Sequence, residues 1–422
     1  CRHDNNRVNR RERNSNGKMR TSNLNRLLRH TAPHRFLLLC LPFTASCSEG
    51  SVPEPCAELP TRTVLVYLAG DNNLEEIGRT PELLRQGWKD TGSKCLIYYD
   101  APQAAPKLFA LTIRHSDASS VLETVEEYPE ENSSSAGVFG RVLADVVRKY
   151  PSDSYGLIFA SHGSGWLPCG ALSDPTRTIG DDRTPGTTGG AREMEITDFA
   201  AAIPDHQFDF IIFEACLMSG IEVAYELRNK TDYLLASSAE LLVPGYAPVY
   251  PTAFQYLFDT SLGVPQALEK FAGSYFNYID TRNGAYRSAT QSIVYTREMD
   301  ALAILAGKTT GNTHGRWDDA LLGKLQHFDR PGSYGDIPAR PRYFDFGQYM
   351  AYLAPERQAD LDALLRKTVV WKAATPEFMA GYNGFTILTH SGLTTYIEQD
   401  EFPELNAAYK KTAWWKATHV QK

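Results

Sequence analysis

The chain has 422 residues, with 42% hydrophobic, 11% aromatic and 22% charged side chains. These values exclude a disordered, collagenous, coiled-coil or polytopic membrane chain, and the length suffices for a large core in one or two domains. The net charge of −7 hides an asymmetry: residues 1–46 carry ten Lys/Arg against Asp4 and Glu12, leaving −15 for the rest. So acidic a body argues against a nucleic-acid partner, whose phosphates would need clustered Lys and Arg. The seven cysteines are scattered, with neither the density of a disulfide framework nor the CxxC spacing of a zinc site.

The basic start reads as export machinery. Residues 1–18 begin with Cys and have loop composition, so they are read as upstream sequence outside the protein proper. From Met19, basic residues lead into the apolar run Phe36–Phe43, then into Thr44-Ala45-Ser46-Cys47. The run is far shorter than the roughly 20 residues that span a bilayer, so residues 1–46 are expected to end in a cleaved signal. The small residues before Cys47 resemble a bacterial lipobox, which would make Cys47 a lipidation site and the only link to a membrane. Residues 47–61, with Ser and Pro, then form a tether. An exported protein of the cell envelope, or a secreted one, is expected.

Beyond the tether the elements alternate. Thr63–Leu68 is a continuous apolar run expected of a strand buried on both faces. Asp71-Asn72-Asn73 supplies capping side chains for a helix through Leu84. Cys95–Tyr99 is a second strand, 107–113 and 121–127 form a hairpin, and 136–149 has the apolar spacing of a helix. Strands follow at Tyr155–Ala160, Phe208–Phe213 and Tyr233–Ser237, with a helix at Ile221–Arg228. Past 300, helices are expected at 298–308, 343–353, 357–370 and 404–416, with one strand at Phe385–Leu388. This alternation predicts an α/β three-layer sandwich around a mostly parallel sheet, with binding at the carboxyl ends of its strands. A catalytic domain at 62–300 and a mainly helical region at 301–422, packed against it, complete the expected organisation.

Two strands run directly into chemistry. Tyr155–Ala160 leads into Ser161-His162-Gly163-Ser164-Gly165-Trp166, and Phe208–Phe213 leads into Glu214-Ala215-Cys216. Taken singly, a cysteine at a strand end is a small buried hydrophobe. If the two strands are parallel neighbours, however, His162 and Cys216 share one rim, and an imidazole can activate a thiol and protonate a leaving amine. The 54-residue separation, His first, matches the caspase arrangement of about 50. The amides of Gly163 and Cys216 are the ones expected to form an oxyanion hole. No HExxH, P-loop, GxSxG or strand-borne GxGxxG competes with this reading.

Three segments, Val64–Leu74, Ser161–Trp166 and Phe213–Met218 with Glu222–Leu227, resemble the clostripain family of cysteine peptidases. The resemblance implies a caspase-like fold and a His162–Cys216 dyad that cleaves protein or peptide substrates through a thioester. It also implies cleavage after Arg or Lys, with an acidic pocket. Three positions depart from the family's pattern. Ser161 stands where Asp is common, Glu214 replaces the pocket Asp, and Tyr246 stands where a second acid is expected. The expectation of a basic-residue pocket therefore rests on Glu214, whose other reading is a carboxylate capping the next turn. The Gly-, Thr- and Asp-rich insert 163–193 lies where relatives are cleaved for activation, making Arg177, Arg183 and Arg192 candidate self-cleavage sites. No cofactor is required; Asp174, Asp181 and Asp182 offer a weak calcium signal without an EF-hand pattern. The rival functions are a catalytically silent binding protein on the same fold and a transpeptidase using the same dyad.

Overall fold

The computed structural model describes residues 61–172, 179–183, 193–310, 319–333 and 339–419. The expected lipidation site Cys47 and the loop residues Asp174, Arg177 and Arg192 lie outside them. The strands in chain order are β1 (Arg62–Ala69), β2 (Lys94–Asp100), β3 (Lys107–Ile113), β4 (Ser120–Glu127), β5 (Ser154–Ala160), β6 (Phe208–Glu214), β7 (Thr231–Ala236), β8 (Thr290–Tyr295), β9 (Phe344–Asp345), β10 (Val369–Ala374), β11 (Glu377–Phe378), β12 (Phe385–Thr386) and β13 (Thr394–Thr395). Nine of them make one sheet, ordered β10-β8-β7-β6-β5-β1-β2-β3-β4. The five central strands, β2, β1, β5, β6 and β7, are parallel, so their carboxyl ends form a common edge.

The alternation of side chains along a strand divides the core in two. Val64, Val66 and Leu68 of β1 point to one face with Ile158, Phe210, Ile212 and Leu235, where helix Val264–Asp280 covers them with Leu268, Phe271 and Tyr275. Leu65 and Tyr67 point to the other with Leu157, Phe159 and Phe213, beneath helices Ala136–Lys149 and Ile196–Ala202. The three expected layers are present. Gly156, registered with Phe210 across β5 and β6, is there because a Cβ would lie 2.2 Å from that ring.

Several elements differ from expectation. Strand β8 and helix Val264–Asp280 escape a reading built on motif-bearing segments. The helix expected at 357–370 ends at Thr368, where Val369-Val370-Trp371 turn into β10, a β-branched and aromatic run that suits a pleated surface. β10 pairs with β8 at the edge of the main sheet, so the mainly helical region after 300 also extends the sheet. The boundary at 300 falls inside helix Met299–Thr310. The expected helix 404–416 is two helices, Pro403–Tyr409 and Ala413–Thr418, the second capped by the Thr412 hydroxyl accepting from Trp415 N–H at 3.1 Å. The strand expected at Phe385–Leu388 is only the two residues of β12. Among the described residues no helix is long and apolar enough to cross a membrane.

Candidate active site

His162 and Cys216 are brought to one rim by strand register. β5 and β6 pair in parallel with Ala160 opposite Glu214, so each residue lies two positions beyond the last matched pair. Backbone contact past the sheet edge is close: a Cβ on Gly163 would lie 2.8 Å from the Cys216 carbonyl oxygen and 3.0 Å from Ala215 Cβ. Only glycine allows that approach.

Each residue is held by its own turn. After Cys216 the chain reverses through Leu217, whose φ of +62° is rare for a branched side chain and costs on the order of 1–3 kcal/mol. The Leu217 amide donates to Ala239 O at 3.0 Å, and its side chain is buried. The reversal sends Leu217 and Met218 into the core and leaves the half-buried Cys216 at the edge. The Cys216 thiol donates to Leu241 O at 3.8 Å. Gly165, also left-handed, nests on this turn, because a Cβ there would lie 2.8 Å from Leu217 O.

His162 is 3% exposed. Its carbonyl accepts from Gly180 N–H at 3.0 Å, and its Nε2 lies 2.7 Å from Asn73 Oδ1 in the loop after β1. With Nε2–H donated to the amide oxygen, the lone pair is on Nδ1, the state a base needs. Sequence reasoning treated Asp71-Asn72-Asn73 as capping residues. Neither asparagine caps the helix that begins at Glu75: Asn72 closes a turn by accepting from Leu74 N–H at 2.8 Å, and Asn73 addresses the imidazole. The signal was a third strand, β1, ending at the same edge. Asn73→Ala is expected to lower kcat/KM by about 10- to 100-fold through loss of orientation, with little change in melting temperature because the side chain is exposed. Asn73→Asp, which keeps the acceptor, should restore most of the rate; steady-state kinetics of both variants check this.

Ser161, next to His162, is a latch. Its hydroxyl donates to Ala69 O at 3.0 Å and accepts from Asp181 N–H at 3.3 Å. It thereby ties β5, β1 and the strap 179–183 together. Asp182 in that strap is buried and accepts from the Ser133 amide and hydroxyl; Arg183 pairs with Asp181 and its amide donates to Asp71 O. Among the described residues no group of three His, Cys, Asp or Glu side chains is arranged to hold a metal.

Glu214 lies two residues before Cys216 in sequence, but its carboxyl turns toward 245–250. Oε1 accepts from Tyr246 N–H at 2.7 Å and Oε2 from Tyr250 OH at 2.5 Å. Burial pushes the carboxyl up to about 7, offset in part by those two bonds. A Cβ on left-handed Gly245 would meet Oε1 at 2.4 Å. Tyr246 is fully buried and donates to Gln291 Oε1, so it is part of the core under the edge. Glu222 is a second buried carboxyl. Its Oε1 accepts from Tyr396 N–H and Thr395 OH, Oε2 is buried without a partner, and burial raises the group to about 7. The folded state thus holds a proton that the unfolded chain releases near 4.3. That contribution to stability is complete below about 4.3 and is lost as pH rises through 7. Glu222→Gln should match the wild type at about pH 4 and exceed it at pH 8 by on the order of 3 kcal/mol; paired denaturant titrations measure the difference.

With this geometry in hand, comparison with known proteins is decisive. The clostripain family model matches residues 66–305, more than half of the chain. The chain belongs to the clostripain family. Clostripain of Hathewaya histolytica is 26% identical over 290 residues, covering 61% of this chain and 52% of that protein, so the chain spans about half the length of the curated relative it matches. Among solved structures, an inactive zymogen C11 protease from Parabacteroides distasonis is similar at 29% identity and a TM-score of 0.69, covering 85% of this chain and 98% of that one. A secreted C11 cysteine protease from Bacteroides thetaiotaomicron, in complex with an irreversible peptide inhibitor, is similar at 25% identity and a TM-score of 0.71, covering 85% and 99%. The clostripain-family match begins within β1 and spans β5 and β6, and so both His162 and Cys216.

Proposed function

We propose that this clostripain-family chain is a cysteine endopeptidase in which Cys216 is the nucleophile and His162 the acid–base. The observation that carries the proposal is the pairing of β5 with β6, which sets both residues at one carboxyl edge beside an imidazole fixed by Asn73. The thiol passes its proton to His162 Nδ1 as sulfur bonds to the scissile carbonyl carbon. The Gly163 and Cys216 amides receive the developing oxyanion. His162 then gives the proton to the departing amine, the C–N bond breaks, and a thioester remains. Water, deprotonated by His162, opens the thioester and restores the thiol.

Cleavage after Arg or Lys is the preference we assign, with Glu214 as the counter-charge. A carboxyl at about 7 is largely neutral at pH 6 and largely ionised at pH 8, so selectivity for a basic residue should grow with pH. Fluorogenic peptides with Arg, Lys or Ser at the cleavage position, assayed at both values, test this. A rising Arg/Ser ratio that is lost in Glu214→Gln supports the assignment. Cleavage after neutral residues at equal or greater rates overturns it. We propose a location outside the cytoplasm, which the signal-like segment and a secreted relative support; lipidation at Cys47 is part of the same proposal.

A further inference from the structure

The surface beside Cys216 is unusual for an acidic chain. Leu241–Phe258 and Phe378–His390 contain no Asp, Glu, Lys or Arg, and both segments supply side chains to one satellite apolar cluster. Ala239, Phe328 and Phe378 form its buried centre, with Leu242, Phe385 and Ile387 partly exposed around it. Next in sequence to Leu242 and Ile387, Val243 is 60% exposed and Leu388 87%, and Tyr382, in the turn between β11 and β12, is 66% exposed. Isolated exposed hydrophobics need no explanation, but several around one apolar cluster mark a binding surface.

The cluster is joined to the candidate active site by hydrogen bonds. Leu241, whose carbonyl accepts from the Cys216 thiol, is flanked by Glu240, and Glu240 holds Arg330 through two bonds of 2.6 and 2.8 Å. The Arg330 guanidinium also donates to Tyr382 O at 3.2 Å. Asn383, left-handed at φ +51°, fixes the same β11–β12 turn by donating to Ser333 Oγ at 2.8 Å and Pro331 O at 3.1 Å. Nucleophile loop and hairpin tip are thus one connected assembly. A surface held this way binds without the entropy cost of ordering it.

From this we infer that the 241–243 loop and the β11–β12 hairpin form an apolar subsite for the substrate, receiving a large aliphatic or aromatic side chain within three residues of the scissile bond. The inference rests on the peptidase reading above. The occupant is a peptide side chain because the surface is continuous with the loop whose carbonyl holds the Cys216 thiol.

The test uses internally quenched peptides sharing one basic cleavage residue, with Leu, Ser or Asp placed singly at each of the three positions on either side. The full chain and its Val243→Asp, Tyr382→Ala and Leu388→Asp variants, all at exposed positions, are assayed together. Leu should raise kcat/KM at least tenfold over Ser at one position or more, and Asp should lower it. Val243→Asp or Tyr382→Ala should reduce the Leu/Ser ratio to below threefold. Cleavage indifferent to Leu, or a Leu/Ser ratio unchanged in all three variants, overturns the subsite and leaves the peptidase reading intact. Cleavage of none of the peptides overturns the preference for a basic cleavage residue assigned above, and with it the subsite defined beside that residue; loss of Cys216-dependent cleavage of every protein substrate is what overturns the peptidase reading.

Discussion

Cys216→Ala should lower kcat/KM for a peptide substrate by about 10⁴-fold or more, and His162→Ala by about 10³-fold or more, because a nucleophile and its acid–base act as one unit. The double variant should be little worse than Cys216→Ala alone, since either loss already removes the thioester route. Both side chains are at the sheet edge, where neither change disturbs the register of β5 with β6. Melting temperatures should therefore stay near the wild-type value. A Cys216→Ala variant that retained its rate would remove the mechanism outright.

Gly163→Ala is expected to be nearly as damaging for activity by an unrelated route. The added methyl would sit 2.8 Å from the Cys216 carbonyl and 3.0 Å from Ala215 Cβ and Met218 Sδ. Two of these neighbours belong to Cys216 and Ala215 on the facing turn, and they cannot swing aside as a surface side chain could. The methyl therefore acts as a wedge between the turn that carries the imidazole and the turn that carries the thiol. A displacement near 1 Å costs about 100-fold in rate, and overpacking a tight contact costs about 1–3 kcal/mol in stability. We expect a kcat loss of at least 100-fold together with a lowered melting temperature. A variant at full activity would mean that the two turns are not held at the spacing described.

The parallel centre of the fold was legible because strands buried on both faces are continuous apolar runs, as at Thr63–Leu68 and Phe208–Phe213. The placement of His162 and Cys216 at one edge was legible for the same reason: each follows such a run directly. What was hidden depends on tertiary partners. β10 looks like the end of a helix until β8 stands beside it, because Val369–Trp371 takes its character from the pleated neighbour. Asn73 looks like a cap because its role depends on β1 lying next to β5, 89 residues away in sequence. Glu214 was visible as a charge near the nucleophile, yet its bonds to Tyr246 and Tyr250 come from a segment 32 to 36 residues later. The strain at Leu217 has no sequence signature, since a leucine after a cysteine is ordinary.

The most direct measurement of the central claim is covalent. The full chain is incubated with an irreversible electrophilic peptide bearing a basic residue, and the adduct is located by intact mass and peptide mapping. The account predicts one equivalent on Cys216, slowed strongly in His162→Ala, with none on the buried Cys95, whose thiol burial pushes well up. Labelling spread over Cys95 and Cys169, or labelling of Cys216 at the same rate without His162, would contradict it.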